Sequence, residues 1–167
     1  SHIDGSKYQL DKHQVAQSFG RAAATYDSAA QIQKWSGEQL IDGLNKHKSP
    51  NSILDLGCGT GWHSCLLKQQ FPKAQVTGVD FSSEMLEYAN AHETVSGINW
   101  LCSDAEDLAL EDSSQELIFS NFALQWCNDP SPSLSEIYRL LNGEGQFHFA
   151  VPGPKTLWEL REVWSTI

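Results

Sequence analysis

The run Leu54-Asp55-Leu56-Gly57-Cys58-Gly59-Thr60-Gly61 is the strongest local signal in the chain. Glycines let a ligand approach backbone and supply the positive φ that tight turns demand. Between a strand and a helix, such a loop binds nucleotides. Asp80 stands about 20 residues downstream, where a carboxylate accepts two ribose hydroxyls. Asp104-Ala105-Glu106 adds a second acidic group. An acid there accepts an adenine amino group, and a neighbouring backbone N–H meets a ring nitrogen. Phe81 and Met85, just after Asp80, are placed to cover the adenine faces. Each feature has a plainer reading alone: a connecting turn, strand-end caps, a core methionine, and in Cys58 a small loop residue. Loop, acid and acid in order, each ending a successive strand, argue for a binding site.

The spacing separates two cofactor classes. A dinucleotide fingerprint, GxGxxG, needs its third glycine at position 62. Trp62 stands there, and the third glycine is Gly61. GxGxG preceded by Asp55 favours S-adenosylmethionine, which has no pyrophosphate to be held at a helix N-terminus. An acid beside the loop then meets its ammonium group. Trp62 in place of the third fingerprint glycine argues against the rival NAD-dehydrogenase reading.

These residues need a scaffold of alternating strands and helices. The hydrophobic pattern predicts helices over 9–24 and 29–44, the second with Ile32, Trp35, Leu40, Ile41 and Leu44 at helical spacing. Strands follow over 53–56, 74–80, 97–103, 115–120 and 146–151. The intervening helices span 62–70, 82–91 (N-capped by Ser82) and 133–141, then a Gly143-Glu144-Gly145 turn. A last helix is expected over 156–165. Strands alternating with ten-residue helices indicate βαβ units and a parallel sheet. The expected architecture is an α/β, Rossmann-like fold with five parallel strands. Residues 1–48 form a helical cap of two helices, and 49–167 the cofactor-binding domain.

Composition narrows the function. The chain has 167 residues, enough for one domain, and a formal charge of −10 with no basic stripe. Phosphate-driven nucleic-acid binding is not expected, and no apolar run approaches a membrane span. Cys58, Cys65, Cys102 and Cys127 form no CxxC pair and do not cluster with histidines. Free thiols in a reducing cytoplasm are expected, without a metal site.

LDLGCGTG, VTGVDFSSEML and SDAEDLAL together resemble the class I methyltransferase family, which uses S-adenosylmethionine. A narrower resemblance lies in Ser18–Asp27 (SFGRAAATYD), Ser120–Cys127 (SNFALQWC) and Gly153–Leu160 (GPKTLWEL). These three stretches are similar to the malonyl-[acyl-carrier protein] O-methyltransferase family of biotin synthesis, whose members extend further at the C-terminus. Their sheet has seven strands, the last antiparallel beside the fifth. With five readable here, the fifth strand is expected to be an exposed edge or covered by a neighbouring molecule.

The resemblance implies methyl transfer to the free carboxylate of a malonyl thioester on acyl-carrier protein or coenzyme A. It assigns Arg21 as carboxylate clamp and Tyr26 as a cover or O–H donor. Gln125 and Trp126 shape the pocket near the sulfonium. Asp55, Gly57, Cys58, Gly59, Gly61, Asp80, Phe81, Met85, Asp104, Ala105, Glu106 and Asn121 form the cofactor side. Lys7, Lys12, His13, Lys46 and Lys48 are the available basic patch for an acidic carrier. The rival readings are trans-aconitate-type carboxyl methylation, quinone C-methylation, and a non-catalytic S-adenosylmethionine-binding module.

Overall fold

The computed structural model describes residues 31–44, 48–121, 123, 129–152 and 160–166. Its elements in chain order are α1 (Gln31–Asp42), β1 (Ser52–Leu56), α2 (Trp62–Gln70), β2 (Gln75–Asp80) and α3 (Ser83–Ala91). They continue as β3 (Ile98–Cys102), β4 (Gln115–Asn121), α4 (Pro130–Leu140), β5 (Leu141–Pro152) and β6 (Leu160–Thr166). The sheet order is β3-β2-β1-β4-β5-β6. The first five strands are mutually parallel, and β6 runs antiparallel to β5. This is the expected Rossmann-like α/β sheet, with a sixth strand added.

Alternation along the strands divides the core. Ile53, Val76, Leu117, Phe119 and Ala150 face α1 and α2, packing with Leu40, Ile41, Leu44, Cys65 and Leu67. Leu54, Leu56, Val79, Ile118 and Phe147 face the opposite side, with Ile137 and Leu140 of α4. Strands buried on both faces need continuous apolar runs, which is how these segments read. Trp35 departs from the predicted inward stripe of α1: it is 54% exposed. Among the described residues no helix is long and apolar enough to cross a membrane.

Four expectations are corrected. Residues 160–166 form β6 rather than the end of a helix; residues 156–159 lie outside the description. The open edge of β5 offers unpaired N–H and C=O groups, and β6 pairs with them from Gln146↔Thr166 to Pro152↔Leu160. The fifth strand is therefore not an edge. The turn at 143–145 is absorbed into β5, which starts directly after α4. Leu141 pairs with Gln115 and Gln146 with Leu117, so four residues bulge out opposite Glu116. Finally, α4 starts at Pro130, because Asp129 caps it by accepting from Ser131 N and proline suits the first turn.

Candidate functional site

The sheet order reverses beside β1: the chain runs outward through β2 and β3, then returns to place β4 on the other side of β1. In open α/β sheets ligands bind at the carboxyl ends of the strands flanking such a switch point. Asp55, Asp80, Asp104 and Asn121 all lie at or just beyond the carboxyl ends of their strands. The fold thus brings the predicted cofactor-side residues to one edge.

The loop after β1 is held by backbone. Gly57 N and Cys58 N both donate to Val79 O, at 2.7 and 2.8 Å, and Gly61 N donates to Cys58 O at 2.9 Å. Gly57, Gly59 and Gly61 all have positive φ, at 76°, 54° and 80°. Their surroundings differ. A Cβ on Gly57 would overlap Ala123, in the loop after β4. One on Gly61 would stand 2.6 Å from Trp100 Cη2 and 3.0 Å from Ala89 Cβ. One on Gly59 would meet nothing within 4 Å. Gly57 and Gly61 are therefore required by internal packing, and the loop opens at Gly59.

Asp80 ties this loop to the next. Its Oδ2 accepts from Gly59 N and its Oδ1 from Ser82 N, both at 2.9 Å. Burial raises its pKa, opposed by the backbone N–H donors of Ser82, Gly59 and Phe81. A carboxylate has about four acceptor sites, so these three N–H donors still leave room for a hydroxyl of a ligand. Ser82 Oγ accepts from Met85 N at 3.3 Å, fulfilling the predicted N-cap; Met85 is buried and Phe81 half-buried beside it.

Asp55 points inward. It is 2% exposed, and its Oδ2 accepts from Ser64 Oγ at 2.6 Å. Burial raises its pKa to about 7; the Ser64 bond opposes this and the Asp80 charge adds to it. Cys58 is buried with its thiol pKa well above normal, through burial and the charges of Asp80 and Asp55. It carries no thiolate at neutral pH, and Cys58, Cys65 and Cys102 are free cysteines.

The segment after β3 is also built. Asp104 Oδ1 accepts from Glu106 N at 3.0 Å, with Ala105 half-buried between them. Arg139 of α4 donates to Leu108 O and Leu110 O, each at 2.8 Å, and pairs with Glu136 and Asp112. Asn121 closes β4. Its Oδ1 accepts from Ser36 Oγ at 3.1 Å, and its Nδ2 donates to Gln33 O at 2.8 Å, so its amide is turned toward α1.

Arg21, Tyr26, Gln125 and Trp126, the predicted acceptor-side residues, lie outside the described residues, as do Lys7, Lys12, His13 and Lys46. Lys48 lies near Pro50 and Phe71, at the opposite end of the sheet from the loop. Three partners escaped the sequence reading. Ser64 holds Asp55, Trp100 fills the space left by Gly61 and Gly78, and Ser120 Oγ donates to Leu56 O at 3.0 Å, bracing the switch point. Ser64 had a readable signal, a hydroxyl in the first turn after the loop; the others depend on cross-strand neighbours.

Known proteins agree with this geometry. Residues 54–149 match the methyltransferase domain family model. The chain is 42% identical over 158 residues to the malonyl-[acyl-carrier protein] O-methyltransferase of Hahella chejuensis, covering 95% of this chain and 56% of that protein. It is 38% identical to the biotin biosynthesis bifunctional protein BioHC of Cellvibrio japonicus, covering 95% of this chain and 31% of that one. The chain thus spans about half, or less, of these relatives. Among solved structures, the methyltransferase in complex with the Haloferax volcanii Trm112 activator aligns with a TM-score of 0.72 at 27% identity, over 80% of this chain and 60% of that one. The family match, the strand order and the glycine loop meet at the same edge of the sheet, and the chain belongs to the methyltransferase domain family.

Proposed function

We propose that this chain carries the cofactor half of an S-adenosylmethionine-dependent methyltransferase that esterifies the free carboxylate of a malonyl thioester, early in biotin synthesis. The observation that carries this reading is 42% identity over 95% of the chain to a relative of that name. The carrier is acyl-carrier protein or coenzyme A, and the setting is the cytoplasm. Residues 1–48 are read as a cap and 49–167 as the cofactor-binding domain.

The described residues fit the cofactor. Gly59 leaves open space above the loop, Asp80 retains acceptor capacity beside it, and Asp104 follows on the next strand. When bound, the cofactor supplies an electrophilic methyl group on a sulfonium. Asp80 receives the ribose hydroxyls while its backbone N–H donors keep its carboxylate oriented. Asp104, Ala105 and Glu106 bind the adenine edge, with Phe81 and Met85 on its faces. A malonyl carboxylate, with pKa near roughly 4, is already ionised at pH 7, so no general base is needed. The protein's task is orientation and exclusion of water. Arg21 clamps the carboxylate, Tyr26 closes over it, and Gln125 and Trp126 shape the pocket.

The test is methyl-ester formation from S-adenosylmethionine and malonyl-acyl-carrier protein, followed by mass spectrometry. Trans-aconitate and a quinone serve as competing acceptors. Methylation of malonate thioester alone supports the reading, and turnover of either competitor alone refutes it. Calorimetric titration with S-adenosylhomocysteine, weakened in Asp80→Ala, checks the cofactor half separately.

A further inference from the structure

The contacts of α1 converge on both sides of the switch point. On the β4 side, Ser36 Oγ donates to Asn121 Oδ1 at 3.1 Å and Asn121 Nδ2 donates to Gln33 O at 2.8 Å. Ser36 is fully buried and Asn121 nearly so. On the α2 side, His63 Nε2 donates to Lys34 O at 3.1 Å, and its ring lies against Phe119 with centroids 5.7 Å apart. Gly37 admits that ring, since a Cβ there would overlap it. Trp62, the residue directly after the glycine loop, donates Nε1 to Glu38 at 3.2 Å and lies beneath the Lys34 ammonium at 4.4 Å.

Residues 33–38 therefore bond to the strand end on one side of the crevice and to the helix start on the other. Both polar ends of the Asn121 amide are engaged by α1. An amide so oriented is poorly placed to read a ligand's polar groups, but well placed to fix a helix that spans the crevice. α1 also joins directly to the segment containing Arg21 and Tyr26, ten and five residues before Gln31.

We infer that Asn121 is a positioning residue: with Ser36 it seats α1 across the rim, and the seated helix sets the acceptor side of the site rather than the cofactor side. The acceptor half rests on the proposed function; the seating does not. In Ser36→Ala, hydrogen exchange of the α1 amides is expected to quicken about fivefold, as for the loss of one buried hydrogen bond, with β1 and β2 unchanged. Affinity for S-adenosylhomocysteine stays within about twofold, and KM for the malonyl thioester rises about fivefold while KM for S-adenosylmethionine holds. Ser36→Thr, which keeps the hydroxyl, restores both readouts. A purely structural role would lower thermal stability without splitting the two KM values. Unchanged α1 exchange would overturn the seating. A matching loss of S-adenosylhomocysteine affinity would overturn the acceptor assignment and return Asn121 to the cofactor side. If the unsubstituted protein methylates no malonyl thioester, the proposed function fails, and exchange still decides the seating.

Discussion

Replacing Asp55 with Asn should stabilise the protein above neutral pH, because it changes the acid at the loop motif's entrance in charge and not in shape. Asp55 is 2% exposed, and burial lifts its pKa from 3.8 to about 7. The unfolded chain releases this proton near 3.8, whereas the folded chain holds it to about 7. Between those values the native state binds more protons, so stability falls as pH rises. At about 1.4 kcal/mol per pH unit, the whole interval corresponds to about 4 kcal/mol, of which about 3 is lost between pH 5 and pH 8. Asn keeps an oxygen for the Ser64 hydroxyl and has no charge to desolvate. His148 acts in the opposite sense. Burial lowers its pKa from 6.5 to about 4, so its contribution is present above pH 6.5 and is lost as pH falls toward 4. The two slopes largely offset each other in the unsubstituted protein, and the informative quantity is the difference between the proteins. Urea unfolding at half-unit steps from pH 5 to pH 8 measures it. Asp55→Asn should gain about 3 kcal/mol relative to the parent over that range. Parallel curves would refute the argument, because they would mean that Asp55 titrates alike in both states.

The loop glycines should separate by assay. Gly61→Ala combines a φ of 80° with overlap on Trp100, and should cost about 2–4 kcal/mol in urea unfolding. Gly59→Ala has open space at its Cβ and should cost about 1 kcal/mol, while weakening S-adenosylhomocysteine at least about tenfold by calorimetry. Arg139→Met frees Leu108 O and Leu110 O and should cost about 1–3 kcal/mol, with faster hydrogen exchange confined to residues 104–113 and α4. If the cofactor's ammonium reaches Asp55, binding at pH 6.5 should displace its proton. Calorimetric enthalpies in buffers of different ionisation heat would then diverge, and Asp55→Asn would remove the divergence.

The sheet was legible because its signals are local. Ile53–Leu56, Gln75–Asp80 and Gln115–Asn121 are short, largely apolar runs, and parallel strands covered on both faces have that texture. Ser82 announced α3 by its side chain, and the structure shows that side chain capping it. What escaped was decided by partners distant in sequence. Leu160–Thr166 becomes a strand because β5 offers it an edge, information that no window over 156–165 contains. Trp35 shares helical spacing with Leu40 and Ile41 but lies beyond the width of the face that the sheet covers. The resemblance places Asn121 on the cofactor side; its amide orientation is set by Ser36 and Gln33, more than eighty residues earlier.

The glycine motif shows how a legible signal can be right about place and incomplete about cause. Three glycines two residues apart suggest three contributions to one cradle. The structure divides them: Gly57 yields to Ala123 across the switch point, Gly61 yields to an indole from β3, and Gly59 alone of the three faces open space. Two of the three therefore fix the loop against neighbouring strands, and that fixing presents the third to a ligand. Asp80 follows the same logic, since the N–H groups of Gly59 and Ser82 hold its carboxylate at the rim before any ligand arrives. Preorganisation of this kind reduces what binding must spend on ordering. It follows that substitutions at Trp100 or Ala123, neither of which carries a polar group toward the crevice, should impair cofactor binding through the loop. A sequence motif restricted to 54–61 would not reveal them.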